Sequence, residues 1–179
     1  MKFDPQNNHR ILLIDDNHAI HEDFRKVLLK SPDLPWDKSP FKDLTDISRM
    51  PSFEIDSAYQ GQEGLDLIEK SLRENRPYSS AFVDVRMPPG WDGIETTCKI
   101  WAEYSDLQVV ICTAFSDYSW EEMVRKLGYL DRVVILKKPF DSIEVLQLAV
   151  AMSEKWRLNQ QAKLRVDNLE KLVQSLRSR

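Results

Sequence analysis

The chain has 179 residues and a formal net charge of −4, and 42% of its residues are hydrophobic. This length suits one domain with an appendage, and the composition is that of an ordinary soluble globular protein. No apolar run is long enough to cross a membrane, and the opening segment lacks the apolar core of a signal peptide. We therefore expect a cytoplasmic protein without a membrane partner.

Short apolar runs alternate with amphipathic segments along most of the chain. The apolar runs predict buried strands over residues 11–14, 53–58, 81–85, 109–112 and 133–136. Helical spacing predicts helices over residues 24–30, 64–72, 94–104, 119–127 and from 142 onward. Strands that alternate with helices argue for an α/β fold, a doubly wound, five-stranded parallel sheet with helices on both faces.

One long insertion interrupts this alternation at residues 31–52. Prolines punctuate a polar stretch there, between the first helix and the second strand. Leu44 and Ile47 could form one short helical turn. A connection of this length in an α/β unit usually has a function or is mobile.

The last helical pattern has no breaker between Ser142 and the C-terminus. We therefore place the globular domain at residues 9–152 and a helical extension at residues 153–179. Basic and apolar residues are interleaved in the extension, which is typical of a solvated helix face and not of a nucleic-acid-binding arm. The periodic pattern continues almost to Arg179, so we expect the chain to be a fragment of a longer protein.

Heptad spacing in this helix predicts a coiled coil that forms a homodimer. One seam position holds Val145, Met152, Asn159, Val166 and Val173, and the other holds Leu148, Lys155, Ala162, Leu169 and Leu176. A single Asn among β-branched residues favours a parallel two-stranded pair, in which Arg165 would face Glu170. Part of the N-terminal half must instead pack on the sheet. The alternative is a lone helix that frays past about Asn159.

Polar side chains stand at the ends of four predicted strands. They are Asp15, Asp16, Asp84, Thr113 and Lys138. The carboxyl ends of these strands converge on one crevice of a doubly wound sheet. Three carboxylates there would repel one another and raise their pKa values, and a hard cation such as Mg²⁺ would relieve this repulsion.

This set of residues has a specific chemistry. With the metal held, Asp84 is free to act as a nucleophile on phosphorus, and Lys138 would stabilise the oxygens in transfer. Thr113 would donate its hydroxyl to the resulting acyl phosphate. Taken alone, Asp84 is equally typical of a helix cap or of an acceptor that anchors a loop.

Two histidines lie beside the acidic pair and suggest a second metal site. His18 and His21 are three positions apart, which places them on one helix face. Without a third ligand, this pair is more typical of an exposed helix surface.

The order of these residues resembles the receiver domain of bacterial two-component response regulators. That family has an acidic pair, a phosphoacceptor aspartate, a hydroxyl residue and a Lys-Pro pair in this order. The likeness covers residues 9 to about 152, with the matches Asp15-Asp16, Asp84, Thr113 and Lys138-Pro139. It implies a flavodoxin-like fold, and a sensor histidine kinase or phosphotransfer protein as partner.

The resemblance also implies individual roles. Asp84 would accept a phosphoryl group from a histidine of the partner. Asp16 and Asp84 would bind Mg²⁺ directly, the backbone carbonyl of Arg86 would be a third ligand, and Asp15 would act through water. Thr113 and Lys138 would contact the phosphoryl group. Phosphorylation would change the surface around the fourth helix, the fifth strand and the fifth helix.

Three departures from the family pattern bear on the conformational switch. The loop MPPGWDG is one residue longer than usual. The segment between Thr113 and Lys138 is also longer than usual, by a few residues. The family's switch aromatic is replaced by Ile135, and Tyr118 or Trp120 could substitute for it. The family also implies a cis bond between Lys138 and Pro139, which proline tolerates.

Two other functions remain open at this point. A metal-dependent aspartyl phosphatase also uses a nucleophilic Asp, but it places an acid two positions later, where this chain has Arg86. A receiver-like interaction module would signal without phosphate. We expect a non-enzymatic signalling module. No output-domain motif is visible in the sequence, so an output domain or effector would lie outside this chain.

Overall fold

A computed structural model of the protein describes residues 5–29, 51–114, 118–128 and 131–177. Within these residues the chain forms one parallel sheet in the order β2-β1-β3-β4-β5. The strands are β1 (Arg10–Ile14), β2 (Glu54–Ala58), β3 (Ser80–Asp84), β4 (Gln108–Thr113) and β5 (Val133–Lys137). The helices are α1 (His18–Leu28), α2 (Gly61–Arg73), α3 (Gly93–Glu103), α4 (Trp120–Leu127) and α5 (Ser142–Arg177), after a 3₁₀ turn at Pro5–Asn7. The predicted doubly wound, five-stranded fold is confirmed.

Most of the predicted insertion at residues 31–52 lies outside the described residues, as does the helical turn expected at Leu44 and Ile47. Among the described helices, none combines the length and apolarity needed to cross a bilayer.

The core has two layers, one on each face of the sheet, because side chains alternate along each strand. One layer lies under α1 and α5 and includes Ile11, Leu13, Phe24, Phe82, Val110, Val145 and Ala149. The other lies under α2, α3 and α4 and includes Leu12, Ile14, Ile68, Val83, Ile94, Ile111 and Met123. Since helices cover both faces, every residue of β3 and β4 is buried, which explains their continuous apolar runs.

The helices α4 and α5 each begin with a reciprocal pair of capping hydrogen bonds. Ser119 accepts a hydrogen bond from the backbone N–H of Glu122, whose carboxylate accepts one from the N–H of Ser119. At the start of α5, Asp141 caps the N–H of Ile143, and its own N–H donates to Glu144. Each pair of hydrogen bonds, called a capping box, satisfies backbone N–H groups that the start of a helix leaves without partners.

The helix α3 begins directly against the end of β3. The backbone N–H of Gly93 donates to the carbonyl oxygen of Val85 over 2.9 Å. A Cβ atom at Gly93 would lie 2.1 Å from the carbonyl oxygen of Asp84, so this position requires glycine. Asp92 caps the helix by accepting from the N–H of Glu95 over 2.8 Å.

The helix α5 has an anchored half and an exposed half. Residues of the first half are buried against the sheet, namely Val145, Leu146, Ala149, Met152, Ser153 and Trp156. The indole N–H of Trp156 donates to the hydroxyl of Tyr104 over 2.6 Å. One and two turns later, Gln160 and Lys163 both donate to the carboxylate of Asp106. Contact with the body therefore continues to Lys163, beyond the end of the predicted domain at residue 152.

We expect Gly93→Ala to lower the free energy of unfolding by about 1–3 kcal/mol, the usual range for overpacking. The added methyl group would push α3 away from the backbone of Asp84, which cannot yield as a flexible side chain could. Urea unfolding monitored by circular dichroism measures the change.

Gly90→Ala is the matched control. A Cβ at Gly90 would meet the far end of the Gln60 side chain at 2.7 Å, and that side chain can rotate away. A loss at Gly90 as large as that at Gly93 would contradict the role of the close backbone approach.

Candidate functional site

The ends of four strands bring the predicted site residues to one edge of the sheet. Asp84 is the last residue of β3, and Thr113 is the last residue of β4. Asp15 follows β1 directly, and Lys138 follows β5. The parallel register pairs Asp84 with Cys112 and Thr113 with Lys137, so the two pairs are one residue apart along the sheet.

Lys138 lies between two of the carboxylates. Its Nζ donates to Oδ2 of Asp15 over 2.8 Å and to Oδ1 of Asp84 over 2.7 Å. The backbone N–H of Lys138 donates to the carbonyl oxygen of Thr113, and the bond to Pro139 is cis, as the resemblance implied. Burial lowers the pKa of Lys138, but its hydrogen bonds to Asp15 and Asp84 outweigh this and raise it overall.

Asp84 is a largely buried carboxylate, with 8% of the residue exposed. Burial raises its pKa above the ordinary value and is only partly offset by the ammonium group of Lys138. Its second oxygen, Oδ2, accepts from the backbone N–H of Arg86 over 3.1 Å. The charged carboxylate is thus held in place while being energetically disfavoured, a combination that clusters at functional sites.

Three carboxylates are close enough to share one cation. One oxygen from each of Asp15, Asp16 and Asp84 lies within 4.8 Å of the others. Asp15 is buried and Asp16 is exposed, so the cluster opens to solvent at Asp16. These three carboxylates outnumber the ammonium group of Lys138 that contacts two of them, and an excess of carboxylate oxygens fits a divalent cation with oxygen ligands.

Thr113 and Arg86 flank this cluster. Thr113 is buried at the end of β4, and its hydroxyl donates to the carbonyl oxygen of Ala114 over 2.8 Å. Arg86 has an exposed side chain two positions after Asp84, where an acid would be needed for a phosphatase of the kind considered above. The backbone of Arg86 lies beside Asp84, since its N–H contacts that carboxylate.

The prediction that both histidines lie on the helix surface is wrong for His21. His18 is exposed, but only 1% of His21 is exposed. Nε2 of His21 lies 2.7 Å from the carbonyl oxygen of Asp15, and Nδ1 lies 2.8 Å from the hydroxyl of Ser57. The ring packs against Tyr59, so the helix face that carries His21 is turned inward.

The position of the missing switch aromatic holds a partly buried aliphatic side chain. Ile135 packs against the core layer beneath α2, α3 and α4. Another aromatic residue contacts the loop after Asp84. The hydroxyl of Tyr118 donates to Oδ2 of Asp92 over 2.6 Å. Lys126 lies over the ring of Tyr118, at 4.6 Å from its centroid. The side chain of Trp120, the other candidate substitute, lies outside the described part.

Tyr118 borders a cavity of about 370 Å³ next to the site. Its lining is formed by Val85, Arg86, Met87, Pro88, Gly90, Asp92 and Tyr118. Tyr118 was expected from the sequence as one candidate substitute for the switch aromatic, but its partner Asp92 was not. The aspartate before Gly93 was a visible helix-cap signal, but its second oxygen could be paired only by the fold.

Most of the chain matches a family of known proteins. The sequence model of the response regulator receiver domain matches residues 38–150. The chain belongs to this family. Receiver domains are generally signalling modules, and membership implies interaction with a histidine kinase or phosphotransfer protein. No curated protein matches the receiver at a significant level.

Solved structures share the receiver's fold. One described as adenylate cyclase from Rhodopirellula baltica is 22% identical, covers 89% of this chain and 98% of its own, and has a TM-score of 0.66. A CheY-like receiver domain protein from Methanospirillum hungatei is 20% identical, covers 83% and 96%, and has a TM-score of 0.58. An AraC two-component transcriptional regulator from Clostridium phytofermentans is 25% identical, covers 86% and 98%, and also has a TM-score of 0.58. The first two likenesses show the fold alone.

We expect Asp84→Asn to raise the free energy of unfolding of the receiver at neutral pH. The folded pKa of Asp84 lies above its ordinary value of 3.8, so the charged carboxylate costs stability. This cost is absent below the unfolded pKa, where both states are protonated, and develops as the pH rises through the folded pKa. Urea unfolding of both proteins across this pH range, without added metal, measures the difference.

Asp92→Asn is the control with the opposite sign. Burial raises the pKa of Asp92, but hydrogen bonds from Tyr118 and the N–H of Glu95 outweigh it and leave the pKa lowered. The charged form therefore stabilises the fold above the unfolded pKa, and this contribution is lost as the pH falls through the folded pKa. Equal changes in the free energy of unfolding for the two substitutions would contradict the opposite pKa shifts of Asp84 and Asp92.

Proposed function

We propose that this receiver is phosphorylated on Asp84 by a sensor histidine kinase or a phosphotransfer protein. The observation that carries the proposal is the placement of the Lys138 ammonium group, within 2.8 Å of both Asp15 and Asp84. The ammonium group of Lys138 can stay in contact with an oxygen of Asp84 while that oxygen becomes part of an acyl phosphate. Lys138 remains charged throughout. A pre-placed cation of this kind stabilises developing negative charge without reorganisation.

We propose that Mg²⁺ is the cofactor of this reaction. The carboxylates of Asp15, Asp16 and Asp84 would hold it, together with the backbone carbonyl of Arg86. The donor set supports this choice, since it consists of hard oxygen ligands on the rim of a partly open acidic site. When bound, the cation would supply neutralisation of the oxygens on the transferring phosphoryl group.

The transfer itself exchanges one bond for another. An oxygen of Asp84 forms a bond to phosphorus while the bond from phosphorus to the donor's histidine nitrogen breaks, and its electrons return to the imidazole. Lys138 offsets the charge on the product, and the hydroxyl of Thr113 would turn from Ala114 to donate to the phosphoryl group. Burial of Asp84 supports this role, because a desolvated carboxylate is a stronger nucleophile.

The outcome would be a change of the surface around α4, β5 and α5. With Ile135 in the usual aromatic position, Tyr118 is an aromatic residue that contacts the loop after Asp84, through Asp92. Since Asp92 precedes Gly93, which contacts the backbone of Val85, a shift of the loop after Asp84 would reach Tyr118 and then α4. An output domain or effector protein would receive the signal.

Incubation with Mg²⁺ and a small acyl phosphate tests the reaction. We expect an acid-labile adduct of one phosphoryl group, seen by intact-protein mass spectrometry. It should be lost in Asp84→Asn and kept in Asp66→Asn, which changes an exposed aspartate on α2. Lys138→Met should bind Mg²⁺ but form the adduct at least about tenfold more slowly, as expected for loss of a charge-stabilising group.

Other outcomes separate the alternatives. Steady release of inorganic phosphate with no lasting adduct would favour the phosphatase. Absence of both adduct and turnover would favour a module that signals without phosphate.

We also propose that the exposed half of α5 forms a homodimer. Apolar side chains there remain open to solvent, namely Leu158, Leu164, Val166, Leu169, Leu172, Val173 and Leu176. At about 3.6 residues per turn, all but Leu164 lie on the side of α5 away from the buried residues Ala149 and Trp156. Val145 and Met152, the first seam positions, are buried in the body, so the available seam begins later.

We expect Leu169→Asp to raise the dimer dissociation constant at least about tenfold, since an unpaired charge in an apolar seam costs more than about 1.4 kcal/mol. Sedimentation velocity over a range of concentrations measures it. Gln174→Asp adds the same charge away from the seam and should leave the dimer intact. A monomer in the unsubstituted protein would refute the proposal.

A further inference from the structure

The buried ring of His21 joins the acidic site to strand β2. Nε2 lies 2.7 Å from the backbone carbonyl oxygen of Asp15, and Nδ1 lies 2.8 Å from Oγ of Ser57. Arg25, one turn further along α1, donates to the same Oγ over 2.6 Å. Tyr59 packs on the ring with a centroid distance of 4.5 Å.

The hydrogen atoms in this series of hydrogen bonds can be assigned from the chemistry of the groups that take part. A carbonyl oxygen only accepts, so Nε2 of His21 carries the hydrogen and donates it to Asp15. Ser57 accepts from Arg25 and therefore has its own hydroxyl hydrogen available for Nδ1. Arg25, Ser57 and His21 thus form a directed series of hydrogen bonds that ends on the peptide group between Asp15 and Asp16.

This peptide group holds the most exposed member of the carboxylate cluster. The N–H of Asp15 donates to the carbonyl oxygen of Ala58, so both backbone polar groups of Asp15 are bonded. The carbonyl that His21 contacts belongs to the peptide plane that leads into Asp16. Asp16 is exposed, and the orientation of this plane sets the backbone position from which its carboxylate reaches the cluster.

We propose that His21 is a positioning residue that orients Asp15 and Asp16 for the divalent cation. It would not bind the cation itself, because both ring nitrogens are occupied by Asp15 and Ser57. The inference rests on the magnesium site proposed above. Partners of this kind, one step removed from a metal, typically change its affinity by about 10–100-fold.

Two substitutions of His21 test the role. His21→Phe keeps a buried ring but removes the donor to Asp15, and we expect it to weaken Mg²⁺ binding at least about tenfold. His21→Gln can place an amide N–H near the position of Nε2 and should restore binding to within about threefold of the unsubstituted protein. Isothermal titration with Mg²⁺ alone measures the affinity, and urea unfolding measures the stability of each variant.

Adduct formation gives a second readout. Low phosphorylation of His21→Phe at limiting Mg²⁺ should recover at saturating Mg²⁺, because the nucleophile Asp84 and Lys138 are untouched. Tyr104→Phe is the matched control, since it removes a partly buried acceptor of Trp156 at the far end of α3. It should lower stability without changing the affinity for Mg²⁺.

The inference would be overturned if His21→Phe binds Mg²⁺ as tightly as the unsubstituted protein, or if His21→Gln binds as weakly as His21→Phe. Should His21→Phe fail to fold, His21→Asn replaces it, because its shorter amide reaches towards Ser57 but not Asp15. If the unsubstituted protein itself does not bind Mg²⁺, the proposed metal site fails; if it binds and all His21 variants bind alike, only the role of His21 fails.

Discussion

A half-buried ammonium group between two carboxylates is the interaction on which the acidic site depends. Without Lys138, Asp15 and Asp84 would face each other with little water to screen their repulsion. The sheet makes the arrangement possible, because its order places β1 and β4 on either side of β3 and β5 beyond β4. The charge balance is still incomplete, since Asp16 adds a third carboxylate. That remaining charge is what makes the site suited to a cation.

The position of α3 links this site to the rest of the domain. Its first residue, Gly93, touches the backbone of β3, and its cap, Asp92, is shared with Tyr118. At the other end, Tyr104 accepts a hydrogen bond from Trp156 of α5. One rigid helix therefore spans from the acidic edge of the sheet to the anchored half of α5. This contact path does not use the position of Ile135.

The two halves of α5 have different surroundings. Its first half completes a core layer, and the bonds of Gln160 and Lys163 to Asp106 extend that attachment. Beyond Lys163 the exposed leucines and valines have no core to join within the described residues. The helix is continuous across the junction, so the anchored half sets the direction in which the exposed half leaves the body.

The strand ends, and with them the residues that meet at the acidic edge, can be read from the amino-acid sequence. Apolar runs closed by Asp15, Asp84, Thr113 and Lys138 are local patterns, and parallel strands must bring their ends together. The burial of His21 follows from the fold and not from the sequence, because its partner Ser57 lies on a strand that sequence spacing could not align with α1. Periodicity reports which residues share a helix face, but the fold chooses which polar groups that face meets.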